Sequence, residues 1–289
     1  MNSPEAILVA TDFSESATAA VHQASDIAAR LGYRLHILHV IDTLELDPVD
    51  WPREGDIESK MEDLVLSLSG KVAVETDIKE SHAAKAILQE ADNENIAALV
   101  VGYSGKSGFF QRIGSTASKV ARRSRKPVFI LTSSFSSESA VIGCLDFSET
   151  SRTVIDWTRK LINTGGYTGQ YAHVAIPLKR LIEYNLGGGE DDSPIPTFGG
   201  SEIRYRDQVE RALRRLDGID ESDEIEICLN DSPQKGLEDL AAIRYPALLV
   251  LGRTEHSALH DRIMGSTSEQ ILDYSGCSTL VVAGKGNTF

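Results

Sequence analysis

The sequence predicts an α/β protein of two tandem domains, each an open, doubly wound sheet of five parallel strands. Three observations support this: short apolar runs alternate with amphipathic helical stretches, the runs are almost continuously apolar, and the whole pattern occurs twice. Strands buried on both faces of a parallel sheet have such runs, as in AALVV at 97–101 and VFIL at 128–131. In such a sheet, ligands bind beyond the carboxyl ends of the strands, where the strand order reverses.

The first copy contains the predicted elements in alternating order. Apolar runs predict strands at 6–10, 34–40, 71–78, 97–101 and 128–131. A helical stripe begins after Ser14, a residue type that caps helices, and ends at Gly32. Further helices are predicted at 57–68, 82–92 and 115–124.

The second copy repeats this order. It has predicted strands at 140–145, 169–176, 224–229, 247–251 and 278–283 and predicted helices at 149–163, 201–217, 235–243 and 266–275. An insertion at about 178–200 is rich in glycine, proline and acidic residues. Two interpretations of it stay open: a mobile loop, or a lid over a second site.

The duplication is visible residue by residue. Four segments return in the same order: 7–15 (ILVATDFSE) as 141–149 (VIGCLDFSE), 39–40 as 173–174, 99–102 as 249–252, and 113–116 as 264–267. Matching order with one insertion indicates a tandem repeat. We place the domains at 1–136 and 137–289, joined through the serine-rich stretch at 133–139.

Composition excludes several classes of function. The net charge of -14 argues against a nucleic-acid partner or an anionic membrane, each of which favours a basic face. The three cysteines, Cys144, Cys228 and Cys277, are widely spaced, which fits a reducing compartment better than a disulfide framework. The N-terminus has no basic segment typical of a signal peptide, and no apolar run is long enough to span a membrane. We expect a cytoplasmic protein.

The stretch at 101–120 has the pattern of a phosphate-binding loop. A strand runs into Gly102 and Gly105, and Gly114-Ser115-Thr116 then opens a helix. Glycines let backbone N–H groups surround an anion, and a helix N-terminus adds unpaired donors. The plainer alternatives are that the glycines form turns only and that the serine and threonine, like Ser266-Thr267 in the second copy, cap their helices.

These motifs resemble the universal stress protein family in its tandem, two-domain form. The resemblance rests on the TDFSE that follows the first strand, the HVID at 39–42 and the glycine motif before the fourth helix. It implies a Rossmann-like, adenine nucleotide alpha hydrolase-like fold. It also implies that the two copies pack as an internal pseudo-dimer through their last strands, at 128–131 and 279–282, and it leaves a further homodimer of two chains open.

The resemblance implies that the protein binds ATP or another adenine nucleotide. It leaves open whether Mg²⁺ binds together with the phosphates. Asp12 occupies the family's carboxylate position near the adenosine, and Val40 the position whose backbone meets the adenine edge. The implied binding residues of the first copy are Thr11, Asp12, Val40, Gly102, Gly105, Gly114, Ser115 and Thr116. One departure is that eight residues, not the family's nine, separate Gly105 from Gly114. For Asp12, as for Asp146, a purely structural role at a helix N-terminus is the alternative.

The second copy departs differently. Its candidate residues are Asp146, Val174, Gly252, Gly265, Ser266 and Thr267. The second glycine of its motif is replaced by Glu255, whose carboxylate would repel a phosphate, although Arg253 and Arg262 could offset part of that charge. Loop chemistry therefore favours triphosphate binding in the first copy, whereas the spacing from Gly252 to Gly265-Ser266-Thr267, which is the family's own, favours the second. Of the two, we expect the first.

No catalytic constellation is evident, and no metal site is predicted, since His256 and His260 lack a third ligand. The leading hypothesis is a stress-response protein regulated by nucleotide rather than an enzyme. Three alternatives stay open: an interaction module that binds no nucleotide, a slow ATPase, and a second copy that binds a different small ligand.

Overall fold

The computed structural model of the protein describes residues 5–42, 55–68, 70–103, 113–177, 202–253, 266–274 and 277–284. In these ranges strands and helices alternate along each half of the chain. The strands are β1 (Ala6–Thr11), β2 (Arg34–Asp42), β3 (Val74–Ser81), β4 (Ile96–Gly102), β5 (Val128–Leu131), β6 (Ala140–Cys144), β7 (Gly169–Ala175), β8 (Ile225–Leu229), β9 (Ala247–Arg253) and β10 (Ser278–Ala283). The helices are α1 (Glu15–Leu31), α2 (Asp56–Ser67), α3 (Ala83–Ala91), α4 (Ser115–Arg123), α5 (Ser151–Asn163), α6 (Glu202–Leu213), α7 (Pro233–Ile243) and α8 (Ser266–Tyr274).

All ten strands form one sheet, in the order β3-β2-β1-β4-β5-β10-β9-β6-β7-β8. Neighbouring strands are parallel within each half, and β5 and β10 are antiparallel to each other. At that junction Thr279 lies opposite Ile130, and Val281 lies opposite Val128. The predicted doubly wound halves and the predicted pairing of the last strands are both confirmed.

Helices cover both faces of the sheet, because both faces of the strands are apolar. On the face covered by α1, α2, α5 and α6, a single cluster of buried residues runs through both halves, with Val9 and Phe129 in one half and Val141 and Val282 in the other. On the opposite face, the two remaining helices of each half cover a separate cluster, and the cluster of the first half also includes Leu272 and Val281 of the second half. The halves therefore share one continuous core on one face.

Two elements differ from the sequence prediction by three residues or more. β3 lies at Val74–Ser81, three residues later than the predicted 71–78. It is an edge strand with exposed acidic side chains, so apolar residues do not mark its ends. Helix α6 ends at Leu213 rather than 217, and the chain then turns through Gly218, whose φ of 97° suits glycine.

The ends of α1 are as predicted. The Ser14 hydroxyl accepts a hydrogen bond from the Ala17 amide at 3.3 Å, and Gly32 has the left-handed φ of 71° that ends many helices. The insertion at about 178–200 lies outside the described residues. None of the helices in the described ranges is long and apolar enough to cross a bilayer.

Candidate functional site

The carboxyl ends of β1, β2 and β4 meet at one edge of the first half-sheet. β1 lies between the other two strands, and its last pair with β2 joins Thr11 to His39. β4 ends at Gly102. The strand order reverses between β1 and β4, since the chain first adds β2 and β3 on one side and then β4 on the other. The edge at Thr11, Asp12, Val40 and Gly102 is therefore the position where sheets of this class bind ligands.

The turn from β1 into α1 is held by its own side chains. The Phe13 amide donates to the Thr11 hydroxyl at 3.0 Å, and the Ser14 amide donates to Asp12 Oδ1 at 3.0 Å. Such bonds stabilise a tight turn before a helix. The Asp12 side chain is exposed at the sheet edge, so its carboxylate faces the solvent beside the strand ends.

A ring pair beneath this turn was missed from the sequence. Phe13 has a positive φ of 61°, and its ring centroid lies 4.6 Å from that of the buried His39. His39 Nδ1 lies 2.9 Å from the Thr11 carbonyl oxygen. The pair fixes the turn over the end of β2, next to Val40.

The second copy builds the same pair. Phe147 has a φ of 62°, its ring lies 4.9 Å from that of His173, and His173 Nδ1 lies 2.7 Å from the Leu145 carbonyl oxygen. Burial lowers the pKa of His173, although the Leu145 carbonyl and the Asp146 charge act in the opposite direction. The joint repetition of DFSE and His-Val along the chain is the signal that could have found both pairs.

Gly102 and Gly252 are strand residues against which the first helix of the same domain packs closely. A β-carbon on Gly102 would lie 2.7 Å from the Ser16 carbonyl oxygen of α1. One on Gly252 would lie 2.3 Å from the hydroxyl oxygen of Thr150, at the start of α5. Each glycine is therefore required by packing whether or not a ligand is bound.

The prediction that Ser115 and Thr116 cap α4 is wrong. Gly114 is the residue that precedes the helix, it has no side chain to make a cap bond, and Ser115 and Thr116 are the first two helical residues. Ser266 and Thr267 likewise begin α8 as its first two residues. By helix geometry, the amides of the first turn of α4 have no carbonyl partner within the helix.

Several predicted residues lie outside the described ranges. They are Gly105 and Gly265, with the charged residues Lys106, Arg112, Glu255 and Arg262 and the histidines His256 and His260.

In the second copy, local bonds occupy the matching carboxylate. Asp146 Oδ1 accepts hydrogen bonds from the Ser148 amide at 3.0 Å, from the Ser148 hydroxyl at 2.5 Å and from the Ser151 hydroxyl at 3.2 Å. Val174 is half-buried in β7, opposite Cys228 of β8. The second edge thus has the same plan as the first, with its aspartate more fully engaged in its own turn.

The suggestion that Arg253 offsets part of the charge of Glu255 stays a prediction, because Glu255 lies outside the described ranges. The Arg253 side chain is buried and its guanidinium lies against the first half, at the carboxyl end of α4. This contact could not be read from the local sequence, because its partners lie about 130 residues earlier in the chain.

Two thiols also lie near the second edge. Cys144 and Cys228 are free, and burial raises the pKa of both, so neither resembles an activated nucleophile. Within the described ranges, no three His, Cys, Asp or Glu side chains converge as a metal site.

Solved structures share this architecture over almost the whole chain. A universal stress protein from Archaeoglobus fulgidus has a TM-score of 0.64 at 18% identity and covers 96% of this chain and 98% of its own. A putative universal stress protein from Pseudomonas aeruginosa has a TM-score of 0.68 at 16% identity, covering 97% and 93%. At these identities the likeness shows the fold alone.

A shorter match is a universal stress protein in complex with cAMP, 26% identical, which covers 45% of this chain and 98% of its own with a TM-score of 0.36. Among curated proteins, no sequence matches the chain.

The doubled, doubly wound sheet with a switch-point edge in each half defines a tandem Rossmann-like α/β protein. The sequence model of the universal stress protein family matches residues 4–132 and again 140–283. The chain belongs to the universal stress protein family, and it contains two tandem domains of that family.

Proposed function

We propose that the first domain binds ATP or another adenine nucleotide, and that binding regulates the protein rather than starting a chemical reaction. The observation that supports this most strongly is the convergence of Asp12, Val40, Gly102 and the first turn of α4 at one switch-point edge. A carboxylate, a strand end and unpaired helix amides are the groups that a base, a ribose and a phosphate require.

The adenosine would lie over the end of β2. Val40 pairs with Lys79 of β3 on one side, but on the other side it lies one residue beyond the last β1 pair, Thr11 with His39. Its carbonyl oxygen toward β1 is therefore past the strand pairing and can accept a hydrogen bond from the edge of a base. The exposed Asp12 carboxylate stands beside it and can accept hydrogen bonds from ribose hydroxyls.

The phosphates would lie at the start of α4. The first-turn amides, beginning with those of Ser115 and Thr116, point out of the helix end and add to the partial positive charge of its dipole. Gly102 brings no side chain to this edge, and Ser115 is exposed. Mg²⁺ would then enter with the phosphates, since it binds phosphate oxygens and water in preference to an all-protein cage.

The first domain is the better candidate for two reasons. In the second domain, three hydrogen bonds already occupy Asp146 Oδ1. The second domain also has Glu255 in place of the motif glycine, so a phosphate there would meet a like charge.

Calorimetric titration of nucleotide-stripped protein with Mg-ATP tests the proposal. We expect about one equivalent to bind, with affinity reduced at least about tenfold in Asp12→Ala and retained in the matched variant Asp146→Ala. Affinity lost in Asp146→Ala and retained in Asp12→Ala would instead favour a site in the second domain. No heat and no change in melting temperature would favour the interaction module, and ATP turnover abolished by Asp12→Ala would favour the ATPase.

A further inference from the structure

Arg253 is the largest of the fully buried side chains, and it crosses from one domain to the other. It ends β9 of the second domain, and its guanidinium donates to three carbonyl oxygens at the carboxyl end of α4 in the first domain. Nη1 lies 2.9 Å from the oxygen of Ala121 and 2.6 Å from that of Arg122, and Nη2 lies 2.5 Å from that of Ser124.

These three oxygens belong to the end of a helix that has no further turn to bond them. The last carbonyls of a helix lack intrahelical partners and carry the negative end of its dipole. A planar guanidinium presents several donors in fixed directions, so one side chain can bond all three oxygens and neutralise that end. Because a buried charge without partners is strongly unfavourable, these contacts fix the position of Arg253 relative to α4.

The second domain holds the same end of α4 by two further contacts. Arg122 forms an ion pair with Glu269 of α8, and Leu272 of α8 packs in the core cluster that contains Val120 of α4. The Gly252 carbonyl beside Arg253 accepts a hydrogen bond from Ser268 of α8 at 2.9 Å. The carboxyl half of α4 is thus fixed by elements of the other domain.

The opposite end of α4 is the proposed phosphate site. The helix has nine residues, so the two ends lie about 13 Å apart along one rigid, hydrogen-bonded segment. We propose that Arg253 is a positioning residue for the phosphate groups of a nucleotide in the first domain. It holds the register and tilt of α4, and it neutralises the negative end of the dipole whose positive end faces the phosphates. This inference rests on the proposed function, and it makes the first-domain site dependent on a residue of the second domain.

The test compares Arg253→Met with Arg30→Met. Arg30 is a matched control, because it also crosses between domains, donating to the Gly165 carbonyl at 2.8 Å and lying over the Tyr167 ring, but it does not contact α4. Each variant is titrated calorimetrically with ATP and with adenosine, and the ratio of the adenosine to the ATP dissociation constant is measured. Both variants are expected to lower the melting temperature, but only a change at α4 alters this ratio.

We expect Arg253→Met to lower the ratio about tenfold by weakening ATP alone, and Arg30→Met to leave it unchanged. Should Arg253→Met fail to fold, Arg253→Lys keeps the charge without the planar fork, and we expect a fall of about threefold. A wild-type ratio in the folded Arg253 variant, or an equal fall in Arg30→Met, would overturn this inference and leave the proposed function standing. No ATP binding by the wild-type protein would overturn the proposed function and this inference with it.

Discussion

His173 Nδ1 lies 2.7 Å from the carbonyl oxygen of Leu145, the last residue before the strand-end turn of the second domain. The first domain repeats this contact at 2.9 Å between His39 and Thr11. A histidine of the second strand in each domain thus holds the end of the first strand. The two candidate edges are built on the same internal support, although their exposed residues differ.

The burial of His173 gives the stability of the protein a dependence on pH. Burial lowers the pKa of His173 below its ordinary 6.5, so the unfolded chain binds more protons between the two pKa values and the free energy of unfolding decreases as pH falls through 6.5. We expect His173→Asn, which keeps an N–H donor but does not titrate, to lose less stability between about pH 6.5 and pH 5. Urea denaturation at several pH values measures this difference, and identical slopes for the two proteins would contradict it.

The destabilisation caused by Gly102→Ala and that caused by Gly252→Ala should respond differently to a second substitution. We expect Gly102→Ala and Gly252→Ala each to lower the free energy of unfolding by about 1–3 kcal/mol, because each β-carbon meets a neighbour well inside contact distance. At Gly252 the neighbour is the Thr150 hydroxyl, so Thr150→Ala should partly restore stability. At Gly102 the neighbour is the Ser16 backbone, and the control Ser16→Ala should restore nothing. Rescue of Gly102→Ala by Ser16→Ala in urea denaturation would show that the clash is assigned to the wrong atom.

A carboxylate at the start of α4 should separate phosphate binding from stability. Ser115 is exposed and is the first helical residue, so Ser115→Glu suits the positive end of the dipole and should leave the protein as stable or up to about 1 kcal/mol more stable. The same charge occupies the place of the phosphates, so the affinity for ATP should fall tenfold or more. Ser266→Glu makes the equivalent change at the first residue of α8 and should leave the affinity unaltered. Unchanged ATP affinity in a folded Ser115→Glu protein would refute a phosphate site at this helix end.

The shared core should make the two domains unfold together. Phe129 is fully buried in β5, and its ring lies edge-on to that of Trp157 in the second domain, with centroids 6.1 Å apart. We expect one calorimetric unfolding transition, which Phe129→Ala shifts as a whole by about 3–5 kcal/mol. The control Leu66→Ala removes a side chain that is 80% exposed and should change stability by less than about 0.5 kcal/mol. Two separate transitions, with only one of them moved by Phe129→Ala, would contradict a common core.

Much of the fold follows from local sequence. Continuous apolar runs are sufficient to locate the central strands, and Ser14 and Gly32 mark the ends of α1 by their conformational preferences alone. The ends of β3 are harder to predict from the sequence because an edge strand needs no continuous apolar face.

Most of what the sequence concealed at the candidate site depends on distant contacts. The sequence suggests only that Arg253 could offset part of the charge of Glu255, whereas in the fold its guanidinium donates to carbonyls from another part of the chain. The stacking of Phe13 on His39 likewise depends on the register of two strands. Spacing along one chain does not give either contact, whereas comparison of the two copies gives the second.

The antiparallel pairing of β5 with β10 sets the two domains in opposite directions, related by an approximate two-fold axis. The carboxyl ends of their strands therefore lie at opposite edges of the sheet, so no single small molecule can contact both candidate sites. A symmetric assembly of identical chains must have the same residue at both equivalent positions. Covalent fusion lifts that constraint: the residue after the strand-end glycine is Arg253 in one domain and Tyr103 in the other. The protein therefore has a polarity that a symmetric dimer could not have, in which an arginine of one domain holds a helix of the other from a position that is tyrosine in its counterpart.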